Sequence, residues 1–234
     1  FVPVVPVPPG STGNYVYVAN STANSVSGFA VGTGMLTAVA NSPLSLGYSP
    51  MAMAVTTNNK FLYVAAPGNI NVYTINSDGS LTGASGGTGV AIANIVSMDV
   101  SPDGQWLIAL EGTSLLAQID VFQINASTGA LASLQPTTHA IPNAVIRPKM
   151  VRISPNGARV FAALGSGGDL VFNFDTTTGA LIFSGALAVT AQTSDNGLAV
   201  DSATGYLYIA RSGTGGGVRV FKIGTGGALN EIAG

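Results

Sequence analysis

The sequence predicts an all-β fold made of repeated four-stranded sheets. Five segments match one another at spacings of 46, 45, 53 and 47 residues, and they are centred on Tyr17, Tyr63, Ile108, Phe161 and Tyr208. Each is followed by a segment in which apolar and polar residues alternate, as in a half-buried strand, and then by a Gly-x-Leu turn. Four short strands repeated at this interval are typical of a blade of a β-propeller.

The strands of one repeat follow in a fixed order. The apolar strand is expected at 15–20, 61–66, 106–111, 159–164 and 206–211, and the strand after it has an aromatic residue near its middle. The turn glycine supplies a positive φ, and a short outer strand is expected after each leucine. Before four of the five repeats lies a further strand that ends in a hairpin signal, such as Pro102-Asp-Gly104 or Pro155-Asn-Gly157.

The arrangement predicts about five blades, the first of which lacks its own inner strand. The expected repeats are 14–48, 49–95, 96–146, 147–192 and 193–234, preceded by a Pro-rich tether or donated strand at 1–13. Three explanations of the missing strand stay open: a true five-bladed ring, a fragment of a longer propeller, or completion by another copy. Contact with other copies is expected through Val4, Val5 and Val7 or through the open strand edge near Tyr15.

Several of these segments resemble a known family. The stretches Tyr15-Val-Tyr-Val-Ala-Asn20, Ser101-Pro-Asp-Gly104 and Ser154-Pro-Asn-Gly157 resemble the YVTN-type repeats of lactonase-like propellers, the 6-phosphogluconolactonase superfamily. The resemblance covers roughly residues 14–232. It implies a β-propeller, usually of seven blades, and it implies hydrolysis of a sugar lactone as an activity.

Composition excludes several classes of protein. Only 8% of the residues are charged, where soluble domains have about 25%. The formal net charge of -2 offers no basic surplus for nucleic acid, and no apolar run is long enough for a transmembrane helix. The chain has no cysteine, which excludes disulfides and thiolate metal sites, and no cofactor is expected. A polar, uncharged surface favours an extracellular or cell-surface location, with the secretion leader absent from this chain.

Few residues are candidates for chemistry. His139, the only histidine, lies in the connection that lengthens one spacing to 53, and it is a candidate general base. Arg147 is a further catalytic candidate that would hold an anionic substrate together with Lys149, and Lys149 and Arg152 are the candidate ligand-binding residues. In the lactonase-like resemblance, Glu111 stands where several relatives have an acid. Two candidate glycosylation sites are Asn20 and Asn125, and no metal site is expected.

Two functions are compatible with these observations. The first is a secreted or surface-displayed, non-catalytic propeller that acts as a structural or binding module and assembles into an oligomer or filament by strand complementation. The alternative is a lactonase-like hydrolase acting on a sugar lactone, or a fragment of a seven-bladed protein of that kind. The two are separated by whether Glu111, His139 and Arg147 share one pocket.

Overall fold

The computed structural model describes residues 13–84, 89–112, 116–134, 136–140 and 145–233. Within these ranges it contains 22 β-strands and one 3₁₀ turn, Thr225–Gly227. None of the described segments forms a helix long and apolar enough to cross a bilayer. The segment with Val4, Val5 and Val7, predicted to be a tether or donated strand, lies outside the described residues.

The strands form five sheets, and the first three or four strands of each sheet pair in the order of the chain. The first sheet contains β1 (Tyr15–Asn20), β2 (Ser25–Val31), β3 (Leu36–Ala38) and β4 (Leu44–Ser45). The second contains β5 (Ala52–Val55), β6 (Phe61–Ala66), β7 (Asn69–Ile75), β8 (Leu81–Gly83) and β9 (Val90–Ala91).

The third sheet contains β10 (Ile95–Val100), β11 (Trp106–Glu111), β12 (Ala117–Ile124), β13 (Leu131–Ser133) and β14 (Thr137–His139). The fourth contains β15 (Met150–Ile153), β16 (Arg159–Ala163), β17 (Asp169–Asp175) and β18 (Ala180–Leu187). The fifth contains β19 (Thr193–Val200), β20 (Tyr206–Gly213), β21 (Gly217–Ile223) and β22 (Leu229–Ala233). The predicted propeller fold is confirmed, including a first sheet in which β1 pairs only with β2 among the described strands.

The outer strand of the first three sheets is broken into two short pieces. The pieces β3 and β4 both pair with β2, β8 and β9 both pair with β7, and β13 and β14 belong to the same sheet, in which β14 pairs with β12. Two of the three breaks contain a proline, Pro43 or Pro136, which has no N–H to donate to a ladder. The connection around His139, which the sequence predicts as an insertion, is therefore partly the second half of an outer strand.

By its internal contacts the chain divides into two units. The first unit comprises residues 1–95 and 123–133, and the second comprises 96–122 and 134–234, so the division runs through the third sheet. The core of the first unit includes Tyr17, Leu62 and Val64. The second unit has a core around Ile108 and Phe172 and another that includes Phe161, Leu207 and Ile209. Each fully buried side chain of this size contributes about 1.5–3 kcal/mol to folding.

One kind of contact between consecutive sheets recurs, and we call it the aromatic–glycine joint. The first residue of an apolar strand lies against the turn glycine of the following sheet, in the pairs Tyr15–Gly79, Phe61–Gly129, Trp106–Gly179 and Arg159–Gly227. A Cβ atom added at Gly129 would lie 2.7 Å from the Phe61 ring, and one at Gly179 would lie 2.6 Å from the Trp106 ring. These glycines are therefore required for close approach as well as for their positive φ.

Hydrogen bonds reinforce the joints. The hydroxyl of Tyr17 donates to Gly79 O at 2.7 Å, and that of Tyr63 donates to Gly129 O at 3.0 Å. The indole Nε1 of Trp106 donates to Thr176 O at 2.7 Å. Burial raises the pKa of the Tyr17 and Tyr63 hydroxyls, so both remain neutral donors. The three joints formed by an aromatic residue thus combine an apolar contact with a satisfied polar group, whereas the guanidinium of Arg159 takes the place of the ring at Gly227.

Candidate active site

A cleft of about 420 Å³ lies in the second unit. Its lining includes the residue that follows β11 in the sequence and the segment that precedes β15. It is lined by Val96, Gly112 and residues 145–149. Its volume falls in the range of small-molecule sites, roughly 300–1,000 Å³. We therefore take it as the candidate active site.

Backbone hydrogen bonds fix the segment that carries the two cations of the cleft. Arg147 N donates to Leu164 O at 2.8 Å, and Lys149 N donates to Ala163 O at 2.9 Å. Pro148 lies between them and has no N–H to satisfy. The backbone of this segment is held against the end of β16 and the residue that follows it, and Arg147 and Lys149 are both exposed residues of the cleft lining.

Glu111 ends β11 and directly precedes Gly112 of the cleft lining. Its side chain is half-buried. Burial raises the pKa of the Glu111 carboxyl, and the nearby negative charge of Asp120 raises it further. A carboxyl whose pKa is moved towards neutrality is suited to exchanging protons with a substrate.

His139 lies on β14 and is not part of the cleft lining. Its ring stacks on Phe183, with centroids 3.9 Å apart and an interplanar angle of 16°, and it meets the edge of Phe172. In the sheet, His139 is paired with Ala117. Of Glu111, His139 and Arg147, only Arg147 lines this cleft, so the three do not share one pocket lining. Glu111 is next in sequence to the lining residue Gly112, and a catalytic role of His139 stays a prediction without a place in that cleft.

Arg152 also lies outside the cleft lining. Its guanidinium Nη1 donates to Val151 O at 3.0 Å. Its positive charge also lowers the pKa of Asp99, although burial dominates and raises that pKa overall. Asp99 Oδ2 accepts a hydrogen bond of 2.8 Å from Ile153 N on the neighbouring inner strand, so this pair has a structural role in the contact between two sheets.

A buried charge cluster lies close to the segment that lines the cleft. Arg211 binds Asp195 through two hydrogen bonds, Nε to Oδ1 at 2.6 Å and Nη2 to Oδ2 at 2.7 Å. Asp169 completes the cluster, and both aspartates are almost fully buried. Gly165, whose backbone pairs with that of Asp195, lies so close that a Cβ atom there would be 2.8 Å from Arg147 O.

The protonated form of Asp169 is favoured in this cluster. Burial raises the pKa of its carboxyl, and the neighbouring Asp195 carboxylate raises it further. Neither oxygen of Asp169 has a donor partner within the described residues, but a proton on Asp169 supplies the donor that two carboxylates lack. The cluster is then neutral overall, with one guanidinium, one carboxylate and one carboxylic acid.

Sequence reasoning missed this cluster because its members come from two repeats. Asp169 begins β17, and Asp195 pairs with Arg211 across β19 and β20. A usable signal was present: Arg211 stands in a strand of alternating burial at a position where the other repeats have Asn20, Ala66, Glu111 and Leu164. The chain has only eighteen charged residues, and charged side chains are rarely buried unless they are paired. A charged residue on the buried face of a strand therefore indicates a partner of opposite charge.

The two candidate glycosylation sites differ in their surroundings. Asn20 Nδ2 donates to Ser25 Oγ at 3.2 Å and to Ser27 Oγ at 2.9 Å. Asn125 is exposed, and its Oδ1 accepts hydrogen bonds from the backbone of Ser127 and Thr128. Modification of either asparagine stays a prediction.

Comparison with known proteins shows which kind of β-propeller this fold resembles. The family described as lactonase, 7-bladed β-propeller, matches residues 9–98. A search of curated proteins finds no match. Among solved structures, a proposed 6-phosphogluconolactonase from Bacteroides uniformis has a TM-score of 0.77 at 16% identity, over 97% of this chain and 68% of that one.

Two further structures agree with this assignment. A protein from Lactobacillus plantarum has a TM-score of 0.76 at 20% identity, over 95% of this chain and 68% of its own. A proposed 6-phosphogluconolactonase from Bacteroides fragilis has a TM-score of 0.74 at 17% identity, over 97% and 68% of the two chains. At sequence identities this low, structural similarity shows a shared fold and nothing more. In fold, the chain is a lactonase-like β-propeller.

Proposed function

We propose that this chain hydrolyses a sugar lactone in the cleft lined by Gly112 and residues 145–149. The substrate class is suggested by the two Bacteroides relatives and by the family match. The observation that supports the proposal is the position of Glu111, half-buried and with a raised pKa, directly before Gly112 of a cleft that Arg147 and Lys149 also line. This combination offers a proton acceptor and two cations to one bound molecule.

The chemistry requires a base and a site for negative charge. Water adds to the carbonyl carbon of the lactone, the ring C–O bond breaks, and a hydroxy acid is released. Glu111 in its carboxylate form accepts a proton from the attacking water and returns it to the ring oxygen as that oxygen leaves. Arg147 and Lys149 stabilise the negative charge that develops on the carbonyl oxygen.

The test is the rate of lactone opening above the spontaneous rate in buffer. We expect the chain to accelerate ring opening of glucono-δ-lactone or of its 6-phosphate, measured by pH-stat titration. Replacement Glu111→Gln removes the base with little change of shape, and we expect it to lower kcat/KM about 10²- to 10⁴-fold.

Matched lysines provide the control for the role of charge. Lys149→Ala removes a cation that lines the cleft, whereas Lys222→Ala removes an exposed cation on β21 outside it. We expect only the first to lower kcat/KM. A wild-type rate equal to that of buffer overturns the proposal, and full activity of Glu111→Gln excludes this residue as the base.

A further inference from the structure

A short hairpin of the fourth sheet contacts the segment that lines the cleft. It is formed by residues 164–168, which join β16 to β17, and Leu164 N donates to Gly168 O at 2.8 Å. Of these five residues only Ser166 is exposed, and the other four are buried. We call residues 164–168 the β16–β17 hairpin.

Two residues of the β16–β17 hairpin contact the start of the cleft segment. Ser166 Oγ donates a hydrogen bond of 3.0 Å to Val145 O. Gly167 has no side chain, and a Cβ atom added there would lie 2.6 Å from Ile146 Cγ2 and 2.9 Å from Ile146 Cα. The segment is therefore packed against the hairpin at both positions, without space for a larger residue at Gly167.

Arg147 is the residue of the cleft lining that the hairpin holds most directly. Its N–H donates to Leu164 O at 2.8 Å. Gly165 has a φ of 63°, and a Cβ atom added there would lie 2.8 Å from Arg147 O and 3.0 Å from Arg147 Cβ. Because Cβ is the first atom of the arginine side chain, the position of Gly165 limits where that side chain begins.

The other side of the hairpin is bound to the buried charge cluster. Gly165 N donates to Asp195 O, and Asp195 N donates to Gly165 O, both at 3.2 Å. Asp195 is itself held by the two hydrogen bonds from Arg211, and Asp169 directly follows the hairpin in sequence. The hairpin thus connects the charge cluster to the segment that carries Arg147.

We propose that Gly165 is a positioning residue for the hydrolysis, which places Arg147 at the cleft and is itself anchored by the buried charge cluster. The inference rests on the proposed function, in which Arg147 stabilises the negative charge of the transition state. A displacement of about 1 Å can cost about 10²-fold in rate. Loss of an interaction made only in the transition state lowers kcat and leaves KM unchanged.

Gly165→Ala is the test variant, and Gly215→Ala is its matched control. Gly215 lies in the corresponding hairpin between β20 and β21 at a φ of 71°, but nothing lies within 4 Å of a Cβ atom added there. Both variants carry the cost of a positive φ, and only Gly165→Ala meets Arg147. With glucono-δ-lactone, we expect Gly165→Ala to lower kcat about 10- to 100-fold at nearly unchanged KM, and Gly215→Ala to keep the wild-type kcat.

A double-mutant cycle separates positioning from a general loss of structure. Arg147→Ala removes the group that Gly165 is proposed to position, so adding Gly165→Ala to that variant should lower kcat by less than about twofold. A merely structural role of Gly165 would lower kcat equally in both backgrounds. If Gly165→Ala does not fold, Gly167→Ala takes its place in the same cycle, because Gly167 does not have a positive φ and its added Cβ atom displaces the same segment.

The outcomes distinguish this inference from the proposed function. An active wild type with an unchanged kcat in Gly165→Ala, or equal losses with and without Arg147, overturns the positioning role and leaves the hydrolysis standing. A wild-type rate equal to that of buffer overturns both proposals.

Discussion

At the scale of single residues, the buried cluster of Asp169, Asp195 and Arg211 makes the stability of the protein depend on pH in an unusual direction. The pKa of Asp169 is raised by burial and by Asp195. The folded state therefore binds a proton that the unfolded state has released above about pH 4. The contribution of this group to stability is full below the unfolded pKa and is lost as the pH rises through the folded pKa.

Replacement Asp169→Asn tests this account. The side-chain amide that this replacement creates is neutral at every pH, like the protonated carboxyl group of Asp169. We therefore expect the variant and the wild type to have similar free energies of unfolding near pH 4. At pH 8 we expect the variant to be more stable than the wild type by at least about 1 kcal/mol, the low end of the cost of burying an unsatisfied polar group. The measurement is denaturant unfolding at both pH values.

The control is an aspartate whose pKa shifts the other way. Asp201 is half-buried and accepts hydrogen bonds from Tyr206 N and Gly205 N, both at 2.6 Å, which lower its pKa. Its contribution is present above the unfolded pKa and lost as the pH falls, so Asp201→Asn should destabilise at pH 8. If Asp169→Asn is less stable than the wild type at pH 8, Asp169 is not protonated in the folded state.

Single residues were predictable from the sequence only where chemistry depends on residue type. Arg147 and Lys149 were candidates because charge is scarce in this chain, and Glu111 because of the resemblance to lactonase-like propellers. Arg147 and Lys149 line one cleft, and Glu111 directly precedes its lining residue Gly112. His139 was a candidate for the same reason. Its ring instead stacks on Phe183 from another sheet, a contact 44 positions along the chain that no local pattern indicates.

At the scale of strands and turns, the aromatic–glycine joint explains why the turn residue is glycine. Gly179 and Gly34 have nearly equal φ values of 76° and 75°, but only Gly179 faces a ring. We expect Gly34→Ala to cost about 1–2 kcal/mol for positive φ alone. Gly179→Ala should cost about 1–3 kcal/mol more, because its Cβ atom overpacks the site against Trp106.

The comparison of the two glycine variants is made by urea unfolding of dilute protein, so that association of copies does not contribute. Equal losses of stability in the two variants would show that the Trp106 contact adds nothing beyond backbone strain. A larger loss of stability in Gly34→Ala than in Gly179→Ala would contradict the close contact assigned to Gly179 and Trp106.

The tyrosines of the joint offer a second matched pair. Tyr63→Phe leaves the carbonyl of Gly129 without its donor in a buried place, and we expect a loss of about 1–3 kcal/mol. Tyr208→Phe removes a hydroxyl that has no partner in the described part of the chain, so the dilute protein should unfold at the same urea concentration as the wild type. Equal losses for the two variants would contradict the assigned hydrogen bond.

The arrangement of elements could be predicted because each sheet is one repeat of the sequence. Spacing, alternation and Asn-Gly or Asp-Gly hairpins are local signals, and they mark the strands from Tyr15 to Ala233. The joints could not be predicted, since they pair residues 64 to 73 positions apart in different repeats. The broken outer strands also escaped prediction, because short edge segments have too few residues for a clear period.

At the scale of the whole molecule, the chain combines a lactonase-like fold with little charge. It covers 68% of the length of each of the three relatives compared, and the residues of the proposed site all fall in its second unit. An extracellular location stays a prediction. The low charge does not oppose catalysis, because the proposed reaction needs only one carboxylate and two cations.

Whether Glu111 acts as the base in lactone opening is decided by the pH dependence of kcat/KM for the two lactones. Because the pKa of Glu111 is raised, the wild-type rate above buffer should rise with pH through an apparent pKa above the usual glutamate value of about 4.3. Glu111→Gln should lose this titration together with most of the rate. An unchanged profile in the variant, or no rate above buffer in the wild type, would contradict the account.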